Sequence, residues 1–308
     1  MKKLLYKSLA FVCALTMFIT TPVFAAETTE STDREYWENV EWDTFDMQEY
    51  ENEMTEMQEM AEANDGISLM YLEEVPGEWI QAADGRWWYR HTDGGYTTSN
   101  WEKINGSWYY FDALGWMATG WLSYNGYWYY LDPVTGVMQT NWILVNGYWY
   151  YMDLYSGIMQ TGWVYTNSTW YYCHEVDGYW VDNTGTRMIQ EAFKYVGGKY
   201  VYGGNNLSTG VDCSGYVQQI SKIYGISTPR VSRDQYTSSR KVSYSNLQPG
   251  DLVFFSSSSG SSTVSHVAFY VGKINGQYDM IVHAANSKSG IILSSMRSNI
   301  VGCGTYWR

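Results

Sequence analysis

Tryptophan recurs through the middle of this chain at a fixed interval, and that interval limits the fold more than any other feature. Trp101, Trp121, Trp142 and Trp163 stand 20, 21 and 21 residues apart, and Trp108, Trp128, Trp149 and Trp170 keep the same intervals. The second series sits in NGSWYYFD, NGYWYYLD, NGYWYYMD and a looser NSTWYYCH, and Gly115, Gly136 and Gly157 follow the first three. Self-similarity at such a period means a repeat architecture, which has to be recognised before any other fold assignment. Asn-Gly ahead of the strand-prone WYY triplet is a tight-turn signal. Each unit therefore reads as a β-hairpin of about twenty residues, too small to bury a core alone. Stacked units make a solenoid over residues 76–186, with less regular ends at GEWIQAADGRWWYRHTDGG and TWYYCHEVDGYWVDNTG.

The flanks differ from the repeat and from each other. Residues 1–25 have a basic start (Lys2, Lys3, Lys7), an apolar run and a Val-Phe-Ala close, the pattern of a secretion signal cut after Ala25. No later stretch is apolar for long enough to span a bilayer, so no stable membrane insertion is expected after cleavage. Residues 26–75 carry seventeen Asp and Glu against one base, Arg34. Tyr50, Met54 and Met57 recur at helical spacing, but like charges at i,i+4 oppose a helix, so a solvated, partly helical spacer is expected here. Residues 76–308 hold fifteen acids and fifteen bases. A neutral working portion without a basic patch argues against nucleic acid as a partner, and it would not be drawn by charge to anionic polymers.

From about Arg187 the patterning becomes mixed. RMIQEAFKYV reads as a helix capped by Asn183 or Thr184 and stopped at Gly197-Gly198; CSGYVQQISKIYG reads as another, with Asp212 at the N-cap. The apolar runs DLVFF, HVAFYVG, YDMIVHAA, GIILSSM and IVGCGTYWR then follow, bounded by turns. Helices first and strands afterwards predict an α+β domain with an antiparallel sheet over residues 187–308.

With Cys13 removed in the signal, Cys173, Cys213 and Cys303 remain, an odd number that leaves at least one thiol free or bonded to another chain. The apolar surroundings of Cys303 predict a buried residue. Cys213 falls at the first position of its helix, where free amides and the dipole favour a thiolate. A helix terminus contributes about 0.3–1 kcal/mol, and one pKa unit is about 1.36 kcal/mol, so the helix alone leaves the thiol protonated. A histidine partner is needed for the rest. The domain offers His266 and His283, 17 residues apart in predicted neighbouring strands. One can serve as base and the other as its orienter, with an ionised Cys–His pair as the expected resting form. No cluster of Cys and His has metal-ligand spacing, and His174 beside Cys173 reads as incidental; neither metal nor cofactor is expected.

The segments GGKYVYGGNN, VDCSGYVQ, TPRVSRDQY, LQPGDLVFF and SHVAFYVG resemble, in order and spacing, the NlpC family of papain-like cell-wall endopeptidases. The resemblance implies that Cys213 is the nucleophile, His266 the base and His283 the orienting residue, with Asn286 taking the last role if the hairpin register differs. It implies that Tyr200, Asp212 and Ser214 lie on the substrate side, the last two near a free amine. Arg230 and Gln235 match a segment whose role is structural or substrate-side. Tyr202 stands where the family often has Trp. The implied reaction is hydrolysis of peptidoglycan stem peptides at a D-glutamyl–diamino acid bond; an amidase or acyltransferase on the same cysteine, or a non-catalytic adhesin, are the alternatives.

The NGYWYY–GxMQT–GW period resembles the cell-wall-binding repeats of Gram-positive surface proteins, choline-binding modules among them. That resemblance places ligand sites between successive hairpins and picks out Trp121, Trp128, Tyr129, Trp142, Trp149 and Trp163, with Met138 and Met159 beside them. The same rings also have to hold the solenoid together. A cation–π contact is worth about 0.5–2 kcal/mol, so three rings per site give roughly millimolar affinity, which several sites on a repeating polymer multiply. The expected partners are peptidoglycan and a choline-bearing or other glycan wall polymer, and the expected location is outside the cell, on the wall.

Overall fold

The computed structural model describes residues 30–63 and 74–308. The expected signal, residues 1–25, lies outside the described residues. Among those described, no helix is long and apolar enough to cross a membrane.

Five hairpins follow one another: β1–β2 (Gly77–Gln81, Trp87–His91), β3–β4 (Asn100–Ile104, Ser107–Phe111), β5–β6 (Gly120–Tyr124, Tyr127–Leu131), β7–β8 (Asn141–Val145, Tyr148–Met152) and β9–β10 (Gly162–Thr166, Thr169–Cys173). The Asn-Gly turns take the left-handed backbone that a type I′ connection needs, for example Asn125 at φ 51° and Gly126 at φ 83°. Neighbouring hairpins interlock in two ways. The backbone N–H of Met138 donates to Trp108 O and that of Met159 to Trp128 O, both at 2.8 Å. The first-strand Trp of one hairpin also meets the middle Tyr of the next: Trp101–Tyr129, Trp121–Tyr150 and Trp142–Tyr171, at 4.8–5.0 Å between ring centroids.

The C-terminal part has three helices, α3 (Thr184–Phe193), α4 (Cys213–Ile223) and α5 (Ser232–Ser238), after the numbering of two N-terminal ones, α1 (Glu30–Glu38) and α2 (Met47–Ala63). Asn183 caps α3 in a reciprocal capping box with Thr186, as its position ahead of the apolar stripe predicts. After a two-residue pair, β11 (Asn205–Asn206) and β12 (Gly210–Val211), come β13 (Arg240–Val242), β14 (Leu252–Phe255), β15 (His266–Ile274), β16 (Gln277–Asn286), β17 (Gly290–Ser295) and β18 (Ile300–Thr305). These last six form an antiparallel sheet ordered β13-β18-β14-β15-β16-β17. Helix α4 packs on it through Tyr216, Val217 and Ile220, all fully buried.

The change of sequence character near Arg187 does not mark a break between two bodies. Hairpin β9–β10 joins the C-terminal sheet, with Trp163 bridging in parallel to Ile274 at the end of β15. The acidic segment also departs from a solvated spacer. Trp37 and Met47 are buried, 5% and 6% exposed. Between α1 and α2 the chain adds to the open edge of β17: Phe45 N–H donates to Leu293 O, and Ser295 N–H to Asp43 O, both at 3.0 Å. Tyr50 of α2 stacks on Trp170 at 5.6 Å, and Trp170 Nε1 donates to Glu51 at 2.7 Å. Like-charge pairs cost a few tenths of a kcal/mol each, whereas burying one indole returns about 4–6 kcal/mol before entropy. Apolar anchors spaced through the acidic run therefore win.

Candidate active site

Asp212 starts α4. Its Oδ1 accepts the Gly215 N–H at 2.7 Å, and its Oδ2 accepts the Gly203 N–H at 3.0 Å. Arg230 grips the same carboxylate with both Nη atoms, at 2.8 and 2.7 Å, and reaches Ser214 Oγ at 3.0 Å and Gly204 O at 2.9 Å. The ion pair thus ties the 203–204 loop to the helix start. Gln235 is fully buried beneath it and donates to Ser214 O and Pro229 O, a supporting position away from the groove. Cys213 follows at the first turn and keeps part of its surface open to a groove of about 390 Å³. Tyr200, Asp212, Ser214, Arg230 and His266 line that groove with it.

His266 opens β15, and the antiparallel register sets His283 of β16 beside it. His266 Nε2 and His283 Nδ1 are 2.8 Å apart, and His283 Nε2 lies 3.2 Å from Ser294 Oγ on β17. Ser294 Oγ can donate onward to Ser295 O at 3.3 Å. The proton assignment that satisfies this chain has His283 donating to Ser294 through Nε2 and accepting from His266 through Nδ1. His266 is then the Nε2–H tautomer, with a bare lone pair on Nδ1. Asn286, the alternative third residue, is occupied elsewhere: its Nδ2 donates to Trp37 O at 3.0 Å. The backbone N–H groups of Val267, next to His266, and of Ser214 both bear on the Cys213 sulfur.

The electrostatics run against the expected ion pair. Burial, then the Asp212 charge, push the Cys213 thiol up to about 12, although the Val267 and Ser214 amides and Arg230 pull the other way. Burial pushes His266 down to about 3 and, with His266 beside it, His283 further below its usual range. Both shifts favour the neutral thiol and neutral imidazole over the ion pair, with desolvation the largest cause of each. Burial likewise raises the Tyr200 phenol. The remaining thiols are buried and raised by desolvation, Cys173 to about 12 and Cys303 to about 11.

In the hairpins most candidate rings meet in successive groups, one of which encloses a cleft. Trp121, Trp128 and Met159 surround one cleft of about 240 Å³, together with Tyr150, Val176 and Asp177. Trp121 lies 6.3 Å from Trp128 at 85° and 4.8 Å from Tyr150 at 71°, so three ring faces and a carboxylate converge. Trp142 meets Tyr171 and Trp180 one step along, with Trp180 bonded to the Trp149 backbone. Tyr129 belongs one step back with Trp101, and Met138 with Trp108. Trp163 is not part of a cleft: it is 2% exposed, donates to Val271 O at 2.8 Å and packs on Phe193. The sequence reading missed Tyr150 and Tyr171, whose signal is their constant offset of 29 residues from Trp121 and Trp142. It also missed Ser294, Trp37 and Trp42, which no motif marks.

Residues 197–305 match the NlpC/P60 family. Residues 97–142 match a choline-binding repeat, and residues 140–159 and 161–179 match a putative cell wall binding repeat. The chain is 37% identical over 121 residues to the bifunctional muramidase/DL-endopeptidase CwlT of Bacillus subtilis, a match covering 39% of this chain and 33% of that protein. It is 49% identical over 90 residues to the probable endopeptidase p60 of Listeria monocytogenes, covering 29% and 17%. The chain thus spans a third or less of the length of these relatives. Among solved structures, choline binding protein F from Streptococcus pneumoniae is 41% identical over 36% of this chain and 37% of that one, with a TM-score of 0.33. Residues 197–305 are an NlpC/P60 domain, and the aromatic hairpins that lead into it are choline-binding and cell-wall-binding repeats.

Proposed function

We propose that this chain is a secreted cysteine endopeptidase that cuts peptidoglycan stem peptides and is held on the wall by its hairpins. The carrying observation is the nucleophile-bearing helix start in an open groove, faced by a hydrogen-bonded pair of buried histidines. With both shifts favouring the neutral pair, the thiol proton passes to His266 Nδ1 as the sulfur attacks the peptide carbonyl. His283, anchored on Ser294, holds the tautomer that makes this transfer possible and stabilises the imidazolium that forms. Backbone N–H groups at the start of α4 receive the oxyanion. His266 then gives its proton to the leaving amine, and a water activated by the same nitrogen hydrolyses the thioester to a carboxylic acid. Asp212 and Ser214, held by Arg230, face the part of the substrate that carries a free amine. A D-glutamyl–diamino acid bond is the proposed target; the DL-endopeptidase in the name of the Bacillus relative supports it.

The cleft of Trp121, Trp128 and Tyr150, walled by aromatic faces with the Asp177 carboxylate at one rim, suits a quaternary ammonium group. Choline on a wall polymer is the proposed ligand. In Cys213→Ala, peptide release from purified peptidoglycan should fall by roughly 10⁴-fold or more, with binding to walls unchanged. A variant that releases peptides like an active parent removes the nucleophile assignment, whereas a parent that binds walls and releases no peptide is the adhesin. Free choline should elute the protein from walls; elution by glycans alone would reject choline and keep wall binding.

A further inference from the structure

Residues 33–42 lie outside the matched domain, yet they build one wall of its groove. Asp33, Arg34 and Trp37 line the cavity that holds Cys213 and His266. The Trp37 ring lies on the His266 imidazole at 4.5 Å, tilted 30°, and its Nε1–H donates to Ser265 Oγ at 3.1 Å. Trp42 stacks on Trp37 at 5.9 Å and 12° and meets the edge of His283 at 4.3 Å. The Trp37 carbonyl is held by Asn286, so this residue is fixed through both its ring and its backbone. Asp33 adds an ion pair to Arg233 at 3.1 Å and accepts a hydrogen bond from Ser257. Under this cover His266 and His283 are 1% and 0% exposed, while the groove beside Cys213 stays open.

We propose that Trp37 and Trp42 are positioning residues of the peptidase reaction, forming an aromatic roof that fixes the two imidazole planes and keeps water out of the bond between them. The inference rests on the Cys213–His266 reading above. An imidazole without the roof is free to turn about its side-chain axis, and water competes for Nε2 of His266 and Nδ1 of His283. The tautomer is then no longer enforced, and the Nδ1 lone pair loses its aim at the thiol. The roof covers the pair and leaves the nucleophile accessible, and it is anchored by buried side chains and by strand pairing to β17. It is therefore a fixed part of the site rather than a plug. The charged and titratable groups that face this region are Cys213, Tyr200, and Arg34 over Tyr202 in the groove, the Asp212–Arg230 and Asp33–Arg233 pairs at its rim, and Arg297 over Trp42 at 5.4 Å.

The test uses the full chain with a soluble stem peptide. Trp37→Leu should lower kcat by about tenfold to a hundredfold, with KM changed by less than about twofold. Because rehydration lets an imidazole regain its proton more easily, the acid limb of the rate should move up by about one pH unit. Alkylation of Cys213 by iodoacetamide, followed by mass spectrometry without substrate, should shift its pH dependence in the same direction. Trp37→Phe, which keeps a ring face, should retain most of the activity and the parental limb. A Trp37→Leu protein with parental kcat and acid limb overturns the proposal, and so does one with raised activity, since that would make the segment a blocking strap. Should Trp37→Leu not fold, Trp42→Phe carries the same expectation at about threefold, and parental behaviour there overturns it equally. Cys213→Ala separates the two layers: activity kept in that variant removes the nucleophile itself, whereas activity lost there but parental in the tryptophan variants removes only the roof.

Discussion

Hairpins β5–β6 and β9–β10 share one aromatic frame, GW at the start and WYY in the second strand, in GWLSYNGYWYYLD and GWVYTNSTWYYCH, and end in different surroundings. Trp121 of the first lines an open cleft with Trp128 and Tyr150. Trp163, its counterpart in the second, is locked into the largest core with its N–H spent on Val271. What differs is the neighbour. A further hairpin follows β5–β6 and offers Tyr150, whereas α3 follows β9–β10 and offers Phe193 at 5.2 Å. The repeat pattern specifies the hairpin; the next element along the chain decides whether its aromatic face becomes a cleft or a core.

That contrast can be broken by substitution. Trp163→Ala should cost about 3–5 kcal/mol and lower the melting temperature of the C-terminal domain, because it leaves a cavity and an orphaned carbonyl. Trp128→Ala, at a ring that is 47% exposed, should change stability by less than about 1 kcal/mol and instead weaken retention on walls. Equal destabilisation by the two would mean that the fifth hairpin is an ordinary repeat after all.

Acid should separate the same two regions. Hairpins β3–β8 contain no histidine, while the C-terminal sheet buries two. Unfolded imidazole has a pKa of about 6.5, and burial holds folded His266 near 3, with His283 displaced in the same direction. Between those values the unfolded chain binds more protons, so stability is lost as pH falls below 6.5, by up to about 1.4 kcal/mol per pH unit for each histidine. Calorimetry between pH 7 and 5 should see the transition of the C-terminal domain move down while that of the hairpins stays. Parallel movement of both would contradict the burial of the pair.

The smallest effect tests a single backbone position. Gly120, Asn141 and Gly162 open successive hairpins with left-handed φ of 74°, 66° and 77°. A Cβ on Gly120 meets nothing within 4 Å, but one on Gly162 would stand 2.5 Å from the Lys273 carbonyl oxygen. Gly120→Asn should alter the melting midpoint by a few tenths of a kcal/mol, as the native Asn141 suggests, and Gly162→Asn should cost about 1–3 kcal/mol. Similar values would show that β15 can give way at this contact.

The chemistry-bearing residues were legible where local physics sets them. Asp212 is a cap followed by Cys213 at the first helical turn, and a 17-residue separation across an antiparallel hairpin brought His266 and His283 together. The direction of the Cys213 and His266 shifts was not legible, because desolvation depends on what covers the site, and the cover comes from more than 200 residues away in sequence. Trp37 and Trp42 were hidden for a related reason. Their run is so acidic that charge argued for solvation, and the alternation of indoles with carboxylates gains meaning only against the β16–β17 edge. Trp163 was misassigned because its motif matches its neighbours; nothing within the repeat announces that it is the last.

The sheet that takes in β9–β10 ties the fifth hairpin directly to the domain that carries the groove. With α2 laid across the fifth hairpin as well, the groove must turn whenever the hairpin stack turns. On the proposed reading, the bonds within reach of Cys213 are chosen by the shape of one body, as with a fixed jig, and not by the sweep of a slack leash.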